Sequence, residues 1–298
     1  MSTAIAVSAG LGAALVFGAA SVAEQRSTKR VKTRRALSPR ILLDLARQPL
    51  WVIAISGTLF GFALQVTALR FGPLALVEPI LVVALIFAVL INAYLRRLWD
   101  PQIIGGVILC AAGIVGFLTI ANPSPGTSHV GFFTILPLGA GLAGGVMGCL
   151  AVAKRHEPLR PLALALACGI CYGVSAFLVK LVVSDLSGGV PRMLTDWPIY
   201  ALAVTGPAGF ILNEDAYQRG TLIAPVLAII TACDPVISIA LGAVWLKEGM
   251  SSTPAGIAGE VISLIVMVGG IVVIAHRAPH VAPPAPAASR SQQPARHR

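Results

Sequence analysis

Two carboxylates that are each followed by proline lie inside long apolar stretches of this sequence, at Asp234-Pro235 and Glu78-Pro79. Asp234 lies about 20 Å along a helix that begins near residue 220, at about 1.5 Å per residue. This is well inside a hydrocarbon core that is about 30 Å thick. An ionised carboxylate at that depth costs at least about 2.5 kcal/mol, so an intramembrane acid is a functional-site hypothesis by default. Each proline removes a backbone hydrogen bond and is expected to break the helix beside the acid.

The chemistry that such acids favour is reversible binding of positive charge. Burial disfavours the ionised carboxylate and an adjacent cation favours it, so the group can hold a proton in one state and a cationic substrate in another. The candidate substrate- or ion-binding residues, expected to face one polar cavity, are Asp234, Glu78, Gln65, Asn213, Glu260 and Lys180. If a metal ion is carried, Asp234 and Glu78 are its expected ligands, because Mg²⁺ needs only one or two carboxylates plus retained waters.

Each of these acids and amides also has a structural interpretation. Asp234 can be an acid that is satisfied by backbone or hydroxyl donors near its proline, and Glu78 can reach the membrane interface. Gln65 and Asn213 either bind substrate or form hydrogen bonds between helices.

The charged residues near the outer surface have simpler explanations. Lys180 is best explained by a side chain that snorkels outward to the interface. Lys247 and Glu248 are expected at the outer boundary as a solvated pair.

The composition is that of a polytopic membrane protein. The chain has 298 residues, of which 56% are hydrophobic and only 11% charged, with a mean hydropathy of +0.85. Soluble domains carry about 25% charged residues. The net charge of +10 is explained by cytoplasmic basic loops and anionic lipid rather than by nucleic acid.

The elements that must position the acids are apolar segments of helical length. They fall at approximately 4–23, 50–69, 73–95, 102–121, 131–153, 162–183, 198–213, 220–246 and 254–275. Arg70-Phe71-Gly72-Pro73 reads as a tight hairpin between the second and third, and residues 213–220 separate the seventh and eighth. The predicted fold class is therefore an all-α membrane protein with nine transmembrane helices.

Orientation follows from the basic residues. With loop 24–49 in the cytoplasm, all but four of the 22 lysines and arginines face the cytoplasm or lie in the C-terminal tail. The four exceptions are Arg70, Lys180, Arg192 and Lys247. The positive-inside rule then places the N-terminus on the outer side of the cytoplasmic membrane and the C-terminus in the cytoplasm. Loop 24–49 has an alternative interpretation as an amphipathic interfacial helix, and the tail 278–298, rich in Pro, Ala and Arg, is predicted to be disordered.

An internal repeat is visible in the order of motifs. Residues 61–65 (GFALQ) match 209–213 (GFILN), and Glu78-Pro79 matches Asp234-Pro235. Repeat 1 covers about 4–121, a linker helix covers 131–153, and repeat 2 covers about 162–275, which together form one transmembrane domain at 1–275. One linker helix inverts the second copy, and inverted repeats with a site at their interface are typical of secondary transporters.

The second repeat also carries a family resemblance. Residues 216–220, Asp234-Pro235 and Leu246-Lys247-Glu248 resemble the last helices of the drug/metabolite transporter superfamily, whose EamA-type repeats end a proline-containing helix in Gly-Glu. Lys247 stands in place of that glycine, and the first half has Asn92 where the glutamate is expected. With nine segments, the chain is more similar to the NIPA-like branch, whose members are associated with magnesium. The resemblance covers about residues 4–275 and implies a solute carrier.

Small residues provide the remaining predictions. Cys168 and Cys171 have C-x-x-C spacing, but helix packing explains them better than a metal or redox pair, and no disulfide is expected. The glycine motifs at 141–148 in segment five and 57–61 in segment two allow close helix approach. Packing within the chain is the favoured role of segment five, with a homodimer contact as the alternative.

The sequence thus predicts a secondary transporter that moves a metabolite or drug-like solute by alternating access, with a proton as a candidate coupling ion. The alternatives are a magnesium or other divalent-cation transporter and a non-transporting membrane scaffold. The chain has no nucleotide-binding loop, no H-E-x-x-H motif and no histidine in the middle of an apolar segment, so we do not expect an enzyme. The expected partners are the solute or ion and the lipid bilayer, and no cofactor is expected beyond the proton or Mg²⁺.

Overall fold

The computed structural model describes residues 2–28, 48–96, 100–124, 126, 131–186, 188–219, 223–249 and 253–277. These residues form α-helices joined by short connections. The helices are α1 Ser2–Thr28, α2 Pro49–Phe71, α3 Leu74–Arg96, α4 Pro101–Ala121, α5 Phe132–Arg155, α6 Arg160–Leu186, α7 Val190–Thr195, α8 Trp197–Arg219, α9 Ile223–Trp245 and α10 Pro254–Arg277. The all-α prediction is confirmed.

Eight of the described helices are long and apolar enough to cross a membrane. Helix α8 covers the predicted seventh segment but is not among the eight, and it continues through Asn213 to Arg219 instead of ending at 213. The predicted break between the seventh and eighth segments is therefore shorter than expected. Helix α1 extends to Thr28. The rest of loop 24–49 as far as residue 47, with its proposed interfacial helix, and the tail 278–298 lie outside the described residues.

Two groups of three helices are packed in the same way. Helix α1 contacts α2 and α3, and α6 contacts α8 and α9. In the first group a Cβ added at Gly61 would lie 2.8 Å from the ring of Phe17. In the second, a Cβ added at Gly209 would lie 2.8 Å from the ring of Tyr172. Glycine is therefore needed at both positions so that an aromatic ring can lie against the helix backbone.

Helices α4 and α10 form an antiparallel pair with very close backbones. A Cβ at Gly113 would meet the backbone of Met267, and a Cβ at Gly270 would meet the backbone of Cys110. The two helices are antiparallel because Gly116, three residues after Gly113, faces Ser263, four residues before Met267. Small residues thus bring these two helices together along their length, as is usual for membrane helices.

Helix α5 packs loosely, mainly on α6. A Cβ added at Gly141, Gly144 or Gly148 would have no neighbouring atom within 4 Å. Of the four glycines in this motif, Gly145 alone lies against a neighbour, since its added Cβ would be 3.7 Å from Ile170 of α6. In α2, Gly57 lies against Ala20 of α1. An apolar cavity of about 360 Å³ lies between α5, α6 and α8.

Candidate functional site

The candidate site lies beside the turn that joins α2 to α3. Helix α2 ends at Phe71 and α3 begins at Leu74, as the sequence predicts for a tight hairpin. The Gly72 N–H donates to the carbonyl of Ala68 at 2.9 Å and completes the last turn of α2. Glu78 follows in the second turn of α3, so a short connection brings this acid close to the end of α2.

Helix α9 brings the second acid to the same place. It runs antiparallel to α3. A Cβ added at Gly242, near the end of α9, would lie 3.4 Å from the Cβ of Leu74 at the start of α3, and Ile239 shares an apolar cluster with Ala75. Continuing one turn along each helix from this second contact leads to Glu78 and Asp234. Antiparallel packing of α3 and α9 thus brings together two acids that lie far apart in the sequence.

Glu78 and Asp234 interact electrostatically with each other, and Gln65 of α2 hydrogen-bonds to Glu78. Glu78 is only 2% exposed. Its Oε1 atom and the Oδ1 atom of Asp234 are both buried and have no hydrogen-bond partner. Buried carboxylate oxygens are normally paired, so these two orphan oxygens are ready to accept a proton or to bind a cation.

The prolines beside the two acids do not break their helices. Pro79 lies inside α3 and Pro235 lies inside α9, and both helices continue through them. Each proline still removes one N–H from the backbone ladder. Near the second, the Ser238 hydroxyl donates to the carbonyl of Pro235 at 3.2 Å. The predicted helix breaks are therefore wrong, because the surrounding helix holds the proline in helical geometry.

The prediction that Lys180 snorkels outward is wrong. Its Nζ atom donates to the carbonyls of Leu69 and Gly72, at 2.6 Å in each case. These are carbonyls at the C-terminal end of α2, where the helix dipole attracts a cation. The ammonium finds acceptors within the protein, so the side chain has no need to reach the interface.

Glu248 is buried, 5% exposed, and is not part of a solvated pair. Its Oε1 accepts from the N–H of Leu74 at 2.8 Å and its Oε2 from the N–H of Ala75 at 3.0 Å. The carboxylate thus caps the N-terminus of α3, where an anion is favoured. Burial raises the pKa of Glu248, while those two amides and the nearby Lys180 ammonium act in the opposite direction.

Lys247 is exposed, as predicted, and adopts a left-handed backbone conformation with φ of 50°. That conformation favours glycine, so Lys247 holds a backbone position that glycine would adopt with less strain. The turn at Lys247 directs Glu248 back toward α3. Sequence reasoning missed the capping role of Glu248, although the expected glycine before it was the signal for this turn.

Two further predicted site residues, Glu260 and Asn213, are not among the groups that act on Glu78. Glu260 is buried on α10, next to Gly259, whose position faces Ile120 of α4. Asn213 is half-buried on α8, one turn after Gly209. Of the two repeat-related amides, Gln65 is the one that hydrogen-bonds to Glu78.

The cysteines lie at helix-packing positions. All five cysteines are free thiols, and the Cys168 thiol donates to the carbonyl of Gly209 at 3.4 Å, a helix-packing contact. In the described ranges, no three His, Cys, Asp or Glu side chains converge into a metal-binding group. What the site offers is one pair of carboxylates with unpartnered oxygens.

Comparison with known proteins gives one relative. A protein of Corynebacterium glutamicum described as uncharacterized is 28% identical over 256 residues, which cover 83% of this chain and 86% of the relative. No protein-family model matches the chain, and no solved structure matches it. The similarity extends over most of both chains, so the two proteins are related across the membrane helices.

Proposed function

We propose that this protein is a secondary transporter that moves a small solute across the cytoplasmic membrane by alternating access. The observation that carries the proposal is the buried pair of Glu78 and Asp234, which come from different helix groups and keep unpartnered oxygens. A helical membrane protein has little reason to bury two adjacent acids unless they bind something.

The proposed architecture is two inverted repeats. Half one is α1–α4 and half two is α6 and α8–α10, with α5 as the linker between them. The Phe17–Gly61 and Tyr172–Gly209 contacts support the repeat, because Gly61 and Gly209 correspond in the two matched motifs and each lies against an aromatic ring. The antiparallel packing of α4 with α10 supports the inversion, since helices that correspond in an inverted repeat run in opposite directions.

The packing suggests a different register for the acids than the motif comparison did. A Cβ at Gly18 would lie 2.7 Å from the carbonyl oxygen of Ala84, and one at Gly173 would lie 2.8 Å from that of Asp234. Gly18 follows Phe17 and Gly173 follows Tyr172, so the two glycines hold the same place in the two helix groups. Ala84, rather than Glu78, is then the counterpart of Asp234. Glu78 lies six residues earlier, about 9 Å along the helix, so the two acids meet by crossing and not by symmetry.

Charge balance points to a cationic ligand or a coupling proton. Lys180 lies near Glu248 and offsets its charge. Glu78 and Asp234 have no such partner among the groups that act on Glu78. Two carboxylates that share a buried site do not both ionise readily, so the pair takes up positive charge. We propose that this charge is exchanged when the halves rock against each other.

A divalent-cation transporter is the second candidate. Two carboxylates with free oxygens match the way in which Mg²⁺ is bound by one or two acids and several waters. Relationship to the drug/metabolite transporter superfamily and its NIPA-like branch is likewise a proposal, supported by the residues at 216–220, 234–235 and 246–248. The proposed orientation places the N-terminus and the α2–α3 hairpin outside.

Thermal-shift measurements on the purified protein test these functions. The probes are panels of amino acids, sugars and organic cations, and MgCl₂, because a ligand that prefers the folded state raises the melting temperature. Each compound that raises the melting temperature of the wild-type protein is then tested for flux into proteoliposomes. These contain the wild type, Glu78→Gln, Asp234→Asn or Glu260→Gln.

We expect flux to fall at least tenfold in the first two variants and to persist in Glu260→Gln, whose acid is not among the groups that act on Glu78. Flux of Mg²⁺ alone selects the cation transporter. The transport proposal is wrong if the Glu78 and Asp234 variants carry every such compound at the wild-type rate. It is also wrong if no compound raises the melting temperature and no pH-driven flux occurs. That result favours a non-transporting membrane scaffold.

A further inference from the structure

The α2–α3 hairpin is bound on both of its sides by charged residues from half two. Lys180 of α6 donates to the carbonyls of Leu69 and Gly72. Glu248, just after α9, accepts from the amides of Leu74 and Ala75. All four hydrogen bonds are between 2.6 and 3.0 Å long. We call Lys180 and Glu248 the clamp.

The clamp uses the ends of two helices as its binding sites. The last carbonyls of a helix and the first amides of the next have no partners within their own helices. The hairpin presents both sets within seven residues, and the clamp supplies a cation to the carbonyls and an anion to the amides. Charged hydrogen bonds of this kind are stronger than neutral ones.

The acid of the clamp is held by its own loop. The N–H of Glu248 donates to the carbonyl of Gly242 at 3.2 Å. The next residue, Gly249, exchanges two backbone hydrogen bonds with Ser124, which follows α4 in half one, at 3.0 and 3.1 Å. Half two therefore contacts half one by two separate connections at this end of the molecule.

The clamped hairpin covers the acid pair. Glu78 lies one turn after the amides that Glu248 binds, and Glu248 acts electrostatically on Glu78. Val77, which precedes Glu78, is fully buried in an apolar cluster that also contains Phe177 of α6 and Leu246. A path from this end of the molecule to the acids must separate these groups.

We propose that Lys180 and Glu248 form the gate that closes this end of the transporter, and that the gate opens when they release the α2–α3 hairpin. The proposal rests on the proposed function, because a gate has meaning only in a protein with an enclosed site. Water and polar headgroups at this end can replace the four hydrogen bonds once the hairpin moves away.

The test uses Val77→Cys as a reporter in the full chain. Intact cells are treated with a membrane-impermeant maleimide, and labelling is read by mass spectrometry of the peptide, which separates it from the native cysteines. Phe71→Cys, on the exposed surface of the same hairpin, shows that the reagent reaches this end. The reporter is then combined with Lys180→Met or Glu248→Gln, and with the matched control Lys247→Met, which removes an exposed lysine from the same loop.

We expect the labelling rate of the reporter to rise about tenfold or more in each clamp variant, since the loss of one charged hydrogen bond shifts an equilibrium by at least about that factor. Labelling in Lys247→Met should stay at the level of the reporter alone. Equal labelling in clamp variants and control overturns the gate.

A disulfide lock separates gate opening from loss of packing. Residues that exchange both hydrogen bonds in antiparallel pairing lie about 5.5 Å apart at Cα, a distance that a disulfide spans. Ser124→Cys with Gly249→Cys, oxidised before labelling, should return the reporter in Lys180→Met to the unlabelled level. A reporter that stays reactive in the locked protein has been exposed by misfolding, and this result also overturns the gate.

The outcome does not depend on whether a substrate is found. Unchanged labelling alongside acid-dependent flux rejects the gate and keeps the transporter. Clamp-dependent labelling without any acid-dependent flux shows a hairpin that opens in a protein that does not transport, and rejects the gate as a step of transport.

Discussion

Neutralising either member of the acid pair should stabilise the folded protein, although it abolishes transport. In Glu78→Gln and Asp234→Asn the shape of the side chain is kept and the charge is lost. A carboxylate oxygen that is buried without a partner costs about 1–3 kcal/mol, and the structure contains one such oxygen in each acid. We therefore expect each variant to gain about 1–3 kcal/mol, or roughly 2–5 °C in melting temperature for a chain of this size.

The two gains should not add. Because Glu78 and Asp234 act on each other, removing the first also relieves the second, and interacting neighbours show coupling energies of about 0.5–3 kcal/mol. The double variant should gain less than the sum of the single variants. The single gains should also be larger at pH 8 than at pH 5, because protonation at low pH relieves the same repulsion, to which Glu248 contributes.

The assay is thermal unfolding of the purified protein in one detergent at both pH values. Glu260→Gln is the matched control, since this acid is also buried but does have an interaction partner, and it should gain nothing. A fall in melting temperature for Glu78→Gln and Asp234→Asn would falsify the reasoning, because it is the behaviour of structural acids that are satisfied by neighbouring donors. Additive gains would contradict the direct interaction between them.

Two further predictions concern the backbone. Lys247→Gly should raise the melting temperature by the equivalent of about 1 kcal/mol, since it relieves a left-handed residue, whereas Lys247→Ala, which removes the same charge but keeps a Cβ, should give no such gain. Gly113→Ala should lower stability by about 1–3 kcal/mol through overpacking against the backbone of Met267, measured in the same unfolding assay. Gly144→Ala should not lower stability, because nothing lies within 4 Å of its added Cβ and alanine is favoured over glycine inside a helix. A tolerated Gly113→Ala would mean that α4 and α10 are not closely packed.

The positions of the helices and of the acids could be predicted from sequence because both depend on local features. A long apolar run identifies a membrane helix without any knowledge of its neighbours, and an acid such as Asp234 stands out within it. The hairpin at Gly72-Pro73 is equally local. Where the prediction was wrong, as at the end of α8, polar residues such as Asn213 and Glu214 were taken for a loop although the helix continues through them.

The clamp could not be predicted because its partners are far apart in the chain. Glu248 binds amides that lie 173 and 174 positions earlier, and Lys180 binds carbonyls that lie 108 and 111 positions earlier. Considered locally, both are charged residues near the ends of helices, for which exposure is the usual outcome. Only the packing of half two on the hairpin shows that they bind helix ends.

The two halves touch both along the α4–α10 pair and at the α2–α3 hairpin, and the difference between these contacts indicates where the proposed motion pivots and where it opens. Along α4 and α10 the backbones touch at Gly113 and Gly270, so any separation there loses close packing along the length of the pair, with lipid as the only replacement. At the hairpin, the halves are joined by an apolar cluster around Val77 and by hydrogen bonds from Lys180 and Glu248, and water can replace the hydrogen bonds. Rocking of the halves is therefore expected to pivot about the α4–α10 pair and to open at the clamp.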